Sequence, residues 1–226
     1  MLMTQLEVEF QNSIQRLRNK DLVRNLPNES LSARIPNSKM SNDIQFLYST
    51  SPFSHTETHT STHLSIDASI YQIRDSIGAI LFSRQEWASL LNQFTDQKKS
   101  IPPVFDEQSR QLGNSITQLK HTTEDLANFT GRFSPAAVKQ LQNEEQVFLC
   151  FGGVLILGHT VERVVFNAEL LEKTAKAFLI AKATGQKVKT LPLSLRFFAN
   201  RRLKQDHRMA EAAFSEGRIP SGFKAY

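Results

Sequence analysis

The chain has 226 residues, 40% of them hydrophobic, enough to bury a substantial core. Its 27 basic and 22 acidic side chains leave a net charge of +5, too mild to define a polyanion-binding protein by itself. No apolar run approaches the roughly 18 residues that cross a bilayer, and Glu7 and Glu9 stand where a signal peptide carries its apolar segment, so a cytoplasmic protein without a membrane partner is expected.

Leu6, Phe10, Ile14 and Leu17 recur at helical spacing and predict an amphipathic helix ending near Pro27. Residues 30–35 and 44–48 read as a short strand pair turned at Pro36, Asn37 and Ser38. Residues 49–62 are a low-complexity stretch, and the Ser/Thr-rich run at 54–63 reads as a loop. Ile66, Ile70 and Ile73 mark a helix face, and residues 77–82 form an apolar run of strand length. Residues 85–94 read as helix, with Trp87, Leu90, Leu91 and Phe94 turned inward, and Pro102 and Pro103 break the chain before a short helix near 106–112.

Residues 147–157 hold two strand runs joined at Gly152 and Gly153, and the first run contains the single cysteine, Cys150, read as a buried thiol. Thr160 is placed to cap a helix whose stripe is Val161, Val164, Val165, Ala168 and Leu171, and Gly185 is placed to end it. Strand pairs joined by tight turns argue for an α/β domain with a sheet at least partly antiparallel. With no linker-like stretch, one domain is expected over 1–226, with a core at about 4–203 and a basic tail at 204–226. Arg196, Arg201, Arg202, Lys204 and Arg208, interleaved with Phe197, Phe198 and Leu203, fit a solvated helix face better than a nucleic-acid contact.

Residues 77–91 and 147–161 look like the two metal-bearing segments of the class II aldolase/adducin family: IYQIRDSIGAIL at 70–81 resembles the helix and strand leading into its His-x-His, and GVLILGHTVERVVFNAELLEKTAK at 153–176 the strand and helix following its third His. SLSAR at 30–34 is similar to that family's Gly-Asn-x-Ser-x-Arg, and FLYSTS at 46–51 to its Thr-Pro-Thr-Gly loop. The resemblance implies a three-layer αβα domain around a central, mainly antiparallel sheet, a homo-oligomer such as a tetramer, and zinc chemistry on a sugar phosphate. Its three zinc-binding histidines fall on Phe82, Arg84 and Gly152. Phe and Gly offer no donor and Arg stays protonated, so the family zinc is expected to be absent.

The resemblance also puts the family's catalytic glutamate on His63 and a later histidine on Asp67, so acid and imidazole are exchanged at the same spacing. Four residues apart on one helix face, His63 and Asp67 form a candidate general-base pair, with a helix-start ion pair as the structural alternative. Ser30, Ser49, Ser51, Ser61, Thr62 and Arg84 are the candidate anion-binding set for a small anionic ligand, with Glu29 opposing it if turned inward. His55, Glu57 and His59 would share one side of an extended chain, a ligand-like pattern set against a solvated loop. His121 and His207 read as surface residues, and His159 as structural. The expected function is a non-catalytic binding or assembly module. The alternative is an aldehyde-lyase-like enzyme using His63 and Asp67, or a relocated metal, on a small sugar phosphate.

Overall fold

The computed structural model describes residues 2–36, 44–60, 65–93, 101–120, 133–150, 152–185 and 188–221. Helix α1 (Leu2–Asn19) buries Leu6, Phe10, Ile14 and Leu17 as its stripe. It ends eight residues short of the expected Pro27, because Leu22 and Val23 lie off that stripe and become buried only when the chain turns at Asp21, φ 54. Strands β1 (Ser30–Arg34) and β2 (Gln45–Thr50) form the expected antiparallel pair, while the turn residues Asn37 and Ser38 lie outside the described residues.

The expected loop at 54–63 instead contains β3 (Glu57–Thr60), paired antiparallel with β2 at the sheet edge. Thr58 and Thr60 are β-branched, and such residues suit a half-buried edge strand even in a low-complexity stretch. Helix α2 (Ile66–Ile73) leads into β4 (Ala79–Ser83). The following helix is shorter than expected: α3 (Glu86–Leu90) passes into a 3-10 turn at Leu91–Gln93, with Leu90 exposed and Phe94 outside the described residues. Next come α4 (Asp106–Gln111), β5 (Thr117–Gln118), α5 (Pro135–Leu141), β6 (Val147–Cys150) and β7 (Gly153–Gly158). Thr160 caps α6 (Val161–Ala183) by accepting from Arg163 N at 3.2 Å, and Gly185 follows it at φ 73.

The seven strands run in the order β3-β2-β1-β4-β7-β6-β5, antiparallel except for the β5/β6 pair. Alternate residues point to opposite faces. Leu31, Leu47, Leu81 and Ile156 pack with α1, α3 and α6. Phe46, Ile80, Phe148 and Leu157 pack with α2 and α5. The fold is therefore helix, sheet, helix, as the family resemblance implies. Among the described residues, no helix is long and apolar enough to cross a membrane.

The last helix, α7 (Leu193–Ser215), runs well past residue 203, where a basic tail was expected, and buries Leu203, His207, Ala210 and Phe214. Its His207 is not the surface residue the sequence suggests. His207 Nδ1 lies 2.9 Å from Ser76 Oγ, and Nε2 lies 2.8 Å from Arg74 Nη2 and 2.9 Å from Gln146 Nε2. A guanidinium can only donate, and Arg74 Nη2 also lies 3.2 Å from Nδ1, so the ring accepts from Arg74. Burial, and then the Arg74 charge, push this imidazole down to about 2. His159, edge-on to it at 4.6 Å between ring centres, is likewise held neutral by burial, at about 3. A helical stripe does not by itself say that a histidine on it will be enclosed by Arg74 and Gln146 from elsewhere in the chain.

Candidate functional site

The antiparallel register sets Thr50, Ser30, Phe82 and Leu155 side by side across β2, β1, β4 and β7. Opposed residues share a face, so this row is hydroxylic on β2 and β1 and apolar on β4 and β7. All four line a cavity of about 340 Å³ on the α2 and α5 side of the sheet. Tyr48 and Cys150 line the cavity from outside this row on β2 and β6, the start of α2 contributes Ser65, Ile66 and Asp67, and Asn28 and Ser51 come from the flanking turns.

Asp67 is the ionisable wall residue of consequence. Ser65 caps α2 by accepting from Ala68 N at 3.1 Å, which fixes the turn that carries Asp67. The Asp67 carboxyl is 6% exposed. It hydrogen-bonds to Ser32, whose Oγ also lies 3.0 Å from Tyr71 Oη. Burial raises the carboxyl to about 7, against the opposing pull of Ser32. The positive end of α2, worth about 0.3–1 kcal/mol in such settings, does not offset the desolvation. Tyr48 is raised to about 12 by burial and then by Asp67, while its hydrogen bond with Ser30 works the other way. His59 stacks on Tyr48 at 4.7 Å between ring centres and places Nε2 3.1 Å from Glu57 Oε2, so these two β3 side chains buttress the cavity wall.

Of the three positions that the resemblance assigns to zinc ligands, Phe82 and Arg84 lie at the end of β4 beside Gly153, while a Cβ at Gly152 would meet nothing within 4 Å. The turn through Gly152, φ 71, folds the β6/β7 connection over the end of β4, so a Cβ on Gly153 would stand 3.1 Å from Phe82 Cζ and 3.2 Å from Arg84 Cγ. What these positions offer is an aromatic ring, a guanidinium and a glycine. This donor set does not fit zinc, which takes imidazole, thiolate or carboxylate. Among the described residues, no group of three His, Cys, Asp or Glu is placed to hold a metal.

Of the anion-binding candidates, Ser30 and Ser51 line the cavity. Ser49 is buried and donates to His55 O at 2.7 Å. Arg84 is not among the lining residues, and its Nε is buried without a hydrogen-bond partner. Glu29, read as a possible opponent of an anion, is wholly buried but turned to backbone N–H groups. Ser61, Thr62 and His63 lie outside the described residues, as does the pairing of His63 with Asp67, and His121 lies outside them too. Sequence reasoning missed Ser32, Tyr48 and Asn28 as contributors. Tyr48 was legible through its two-residue offset from Phe46 on β2 and Ser32 through its place in the SLSAR segment, whereas Asn28 gave no signal of its own.

A seven-stranded, mainly antiparallel sheet between helical layers, with a cavity at the end of the β4/β7 pair, defines the three-layer architecture of the class II aldolases. Residues 40–179 match the family described as Class II Aldolase and Adducin N-terminal domain, and the chain belongs to that family. The L-fuculose 1-phosphate aldolase from Glaciozyma antarctica PI12 is similar in structure, with a TM-score of 0.66 and 14% identity over 96% of this chain and 94% of that one. Another L-fuculose 1-phosphate aldolase scores 0.65 at 16% identity over 88% of this chain and 96% of that one. An aldolase II superfamily protein from Pseudomonas syringae scores 0.61 at 14% identity over 94% and 91%. At such identities the likeness is one of fold. No curated protein matches the sequence.

Proposed function

We propose that this chain is a non-catalytic member of its family, a binding or assembly module that has given up zinc chemistry and kept the cavity. The observation that carries the reading is the chemistry of Phe82, Arg84 and Gly152, none of which offers a zinc donor where the resemblance calls for three histidines. A site carries a function and a fold does not, and Phe82 here is part of the cavity wall. The homo-oligomer implied by the resemblance, such as a tetramer, finds support in Leu193, Phe197 and Phe198, exposed together on the first turns of α7. The test is turnover: zinc-supplemented protein should cleave L-fuculose 1-phosphate no faster than the Asp67→Asn variant does. Zinc-dependent cleavage would contradict the proposal.

One observation favours a second reading, an enzyme of altered chemistry. Asp67 is a carboxyl held near neutrality in a cavity, which suits general acid or base work. That reading requires turnover of an aldehyde or sugar phosphate that survives a chelator and disappears in Asp67→Asn.

A further inference from the structure

The Asp67 cavity has a polarity that fits one ligand class better than the sugar phosphates named for its structural neighbours. Its hydrogen-bonding side is made by Ser30, Tyr48, Thr50, Ser51 and Asn28, all uncharged. Its other side is made by Phe82, Leu155, Ile66 and Cys150. The one acidic group on the wall among the described residues, Asp67, is almost wholly buried. A phosphate entering this space would bring negative charge against that carboxyl in a poorly solvated setting, where like charges repel strongly.

Arg34 and Arg18 are committed elsewhere, and Arg84, at the end of β4, does not line the cavity. Arg34 donates to Asp75 O at 2.9 Å, and its guanidinium lies 4.8 Å from the Phe214 ring centre. Arg18 donates to Pro52 O. Among the described residues, the cavity wall carries no lysine or arginine.

The wall suits an uncharged polyol. A sugar or sugar alcohol has C–H faces that pack against Phe82 and Leu155, and O–H groups that both donate to and accept from serine, threonine and tyrosine hydroxyls. The volume, about 340 Å³, lies at the small end of the range for ligand pockets and matches one monosaccharide better than a nucleotide.

We infer that this cavity binds a small uncharged polyhydroxylated molecule, of the size of a free pentose or pentitol, and discriminates against its phosphate ester. The inference rests on the zinc-independent binding reading given above.

The experiment is calorimetric titration of the full-length protein at pH 8 in EDTA with ribitol, xylitol, D-ribose and D-xylulose, each against its 5-phosphate. At least one neutral member should bind saturably, and its phosphate at least tenfold more weakly. In Asp67→Asn, which keeps the shape of the side chain and removes its charge, that ratio should shrink. Ser30→Val should abolish binding of the neutral member while leaving the melting temperature within a few degrees of wild type. A phosphate that binds as tightly as its neutral partner in EDTA would overturn the inference and leave the zinc-independent reading standing. Binding that appears only after zinc is added would overturn both. Failure of every neutral member to bind would also overturn the inference.

Discussion

The backbone N–H of Arg84 donates to Glu29 Oε1 at 2.9 Å, joining two residues 55 positions apart. The other carboxylate oxygen, Oε2, accepts from Arg24 N and Leu26 N, both at 2.9 Å. One fully buried side chain thus pegs the turn between α1 and β1 to the end of β4. Hydrogen bonds to a charged acceptor are among the stronger ones, and each of these satisfies a backbone donor that would otherwise be stranded. The resemblance puts glycine at position 29, so this peg belongs to the present chain, and it fixes the segment in which the family carries a metal ligand.

Glu29→Ala should therefore destabilise the protein by roughly 3 kcal/mol, read as a lower urea midpoint. Glu29→Gln should recover only part of that loss. Its single carbonyl oxygen can serve one side of the peg, while its NH2 group faces a donor on the other.

Most of the strands were readable in the sequence, and the site was only half readable. Strands β1, β2, β4, β6 and β7 show as apolar runs, and Thr160 and Gly185 mark the ends of α6 through ordinary capping chemistry. The sequence order of family-like segments also pointed to Phe82, Arg84 and Gly152, and the turn at Gly152 sets the next residue, Gly153, against Phe82 and Arg84. What was hidden is contact between distant segments. That Ser32 would hold Asp67, that Glu29 would turn to Arg24, Leu26 and Arg84, and that Arg84 would stay out of the cavity wall all depend on packing. Periodicity carries no information about it.

Stability should depend on pH in two opposed ways. Folding lowers His207 to about 2 and His159 to about 3, from 6.5. Below 6.5 the unfolded chain therefore takes up protons that the folded chain refuses. Their contribution is full above that pH and is lost as pH falls. Folding raises Asp67 from 3.8 to about 7, so its contribution is full below 3.8 and is lost as pH rises through 7. Two imidazoles outweigh one carboxyl, and net stability should rise between about pH 4.5 and 6.5. Asp67→Asn removes the opposing slope, so its stability relative to wild type should improve by roughly 2–4 kcal/mol between about pH 4 and 8. Urea unfolding across that range measures both effects.

His207→Ala should cost roughly 3 kcal/mol, because Arg74 Nη2, Ser76 Oγ and Gln146 Nε2 each lose a buried partner. Amide exchange should report the loss first in α7, which the imidazole ties to α2 and β4 through Arg74 and Ser76.

Restoring three histidines tests whether the aligned positions can reach a common point. A Cβ at Gly152 meets nothing within 4 Å, so Gly152→His has room, although its φ of 71 costs about 1 kcal/mol of strain for a non-glycine residue. Phe82→His, Arg84→His and Gly152→His combined should give a protein that zinc stabilises by several degrees in a thermal melt. No response from the triple variant would mean that the three side chains do not reach a common point.

The central claim, that Phe82, Arg84 and Gly152 leave this family member without its zinc, is tested most directly by elemental analysis of tag-free wild-type protein after exhaustive dialysis. The account predicts zinc well below one equivalent per chain and no thermal stabilisation on adding it back. One equivalent of retained zinc, removable only by a strong chelator and accompanied by a lower melting temperature when removed, would contradict it.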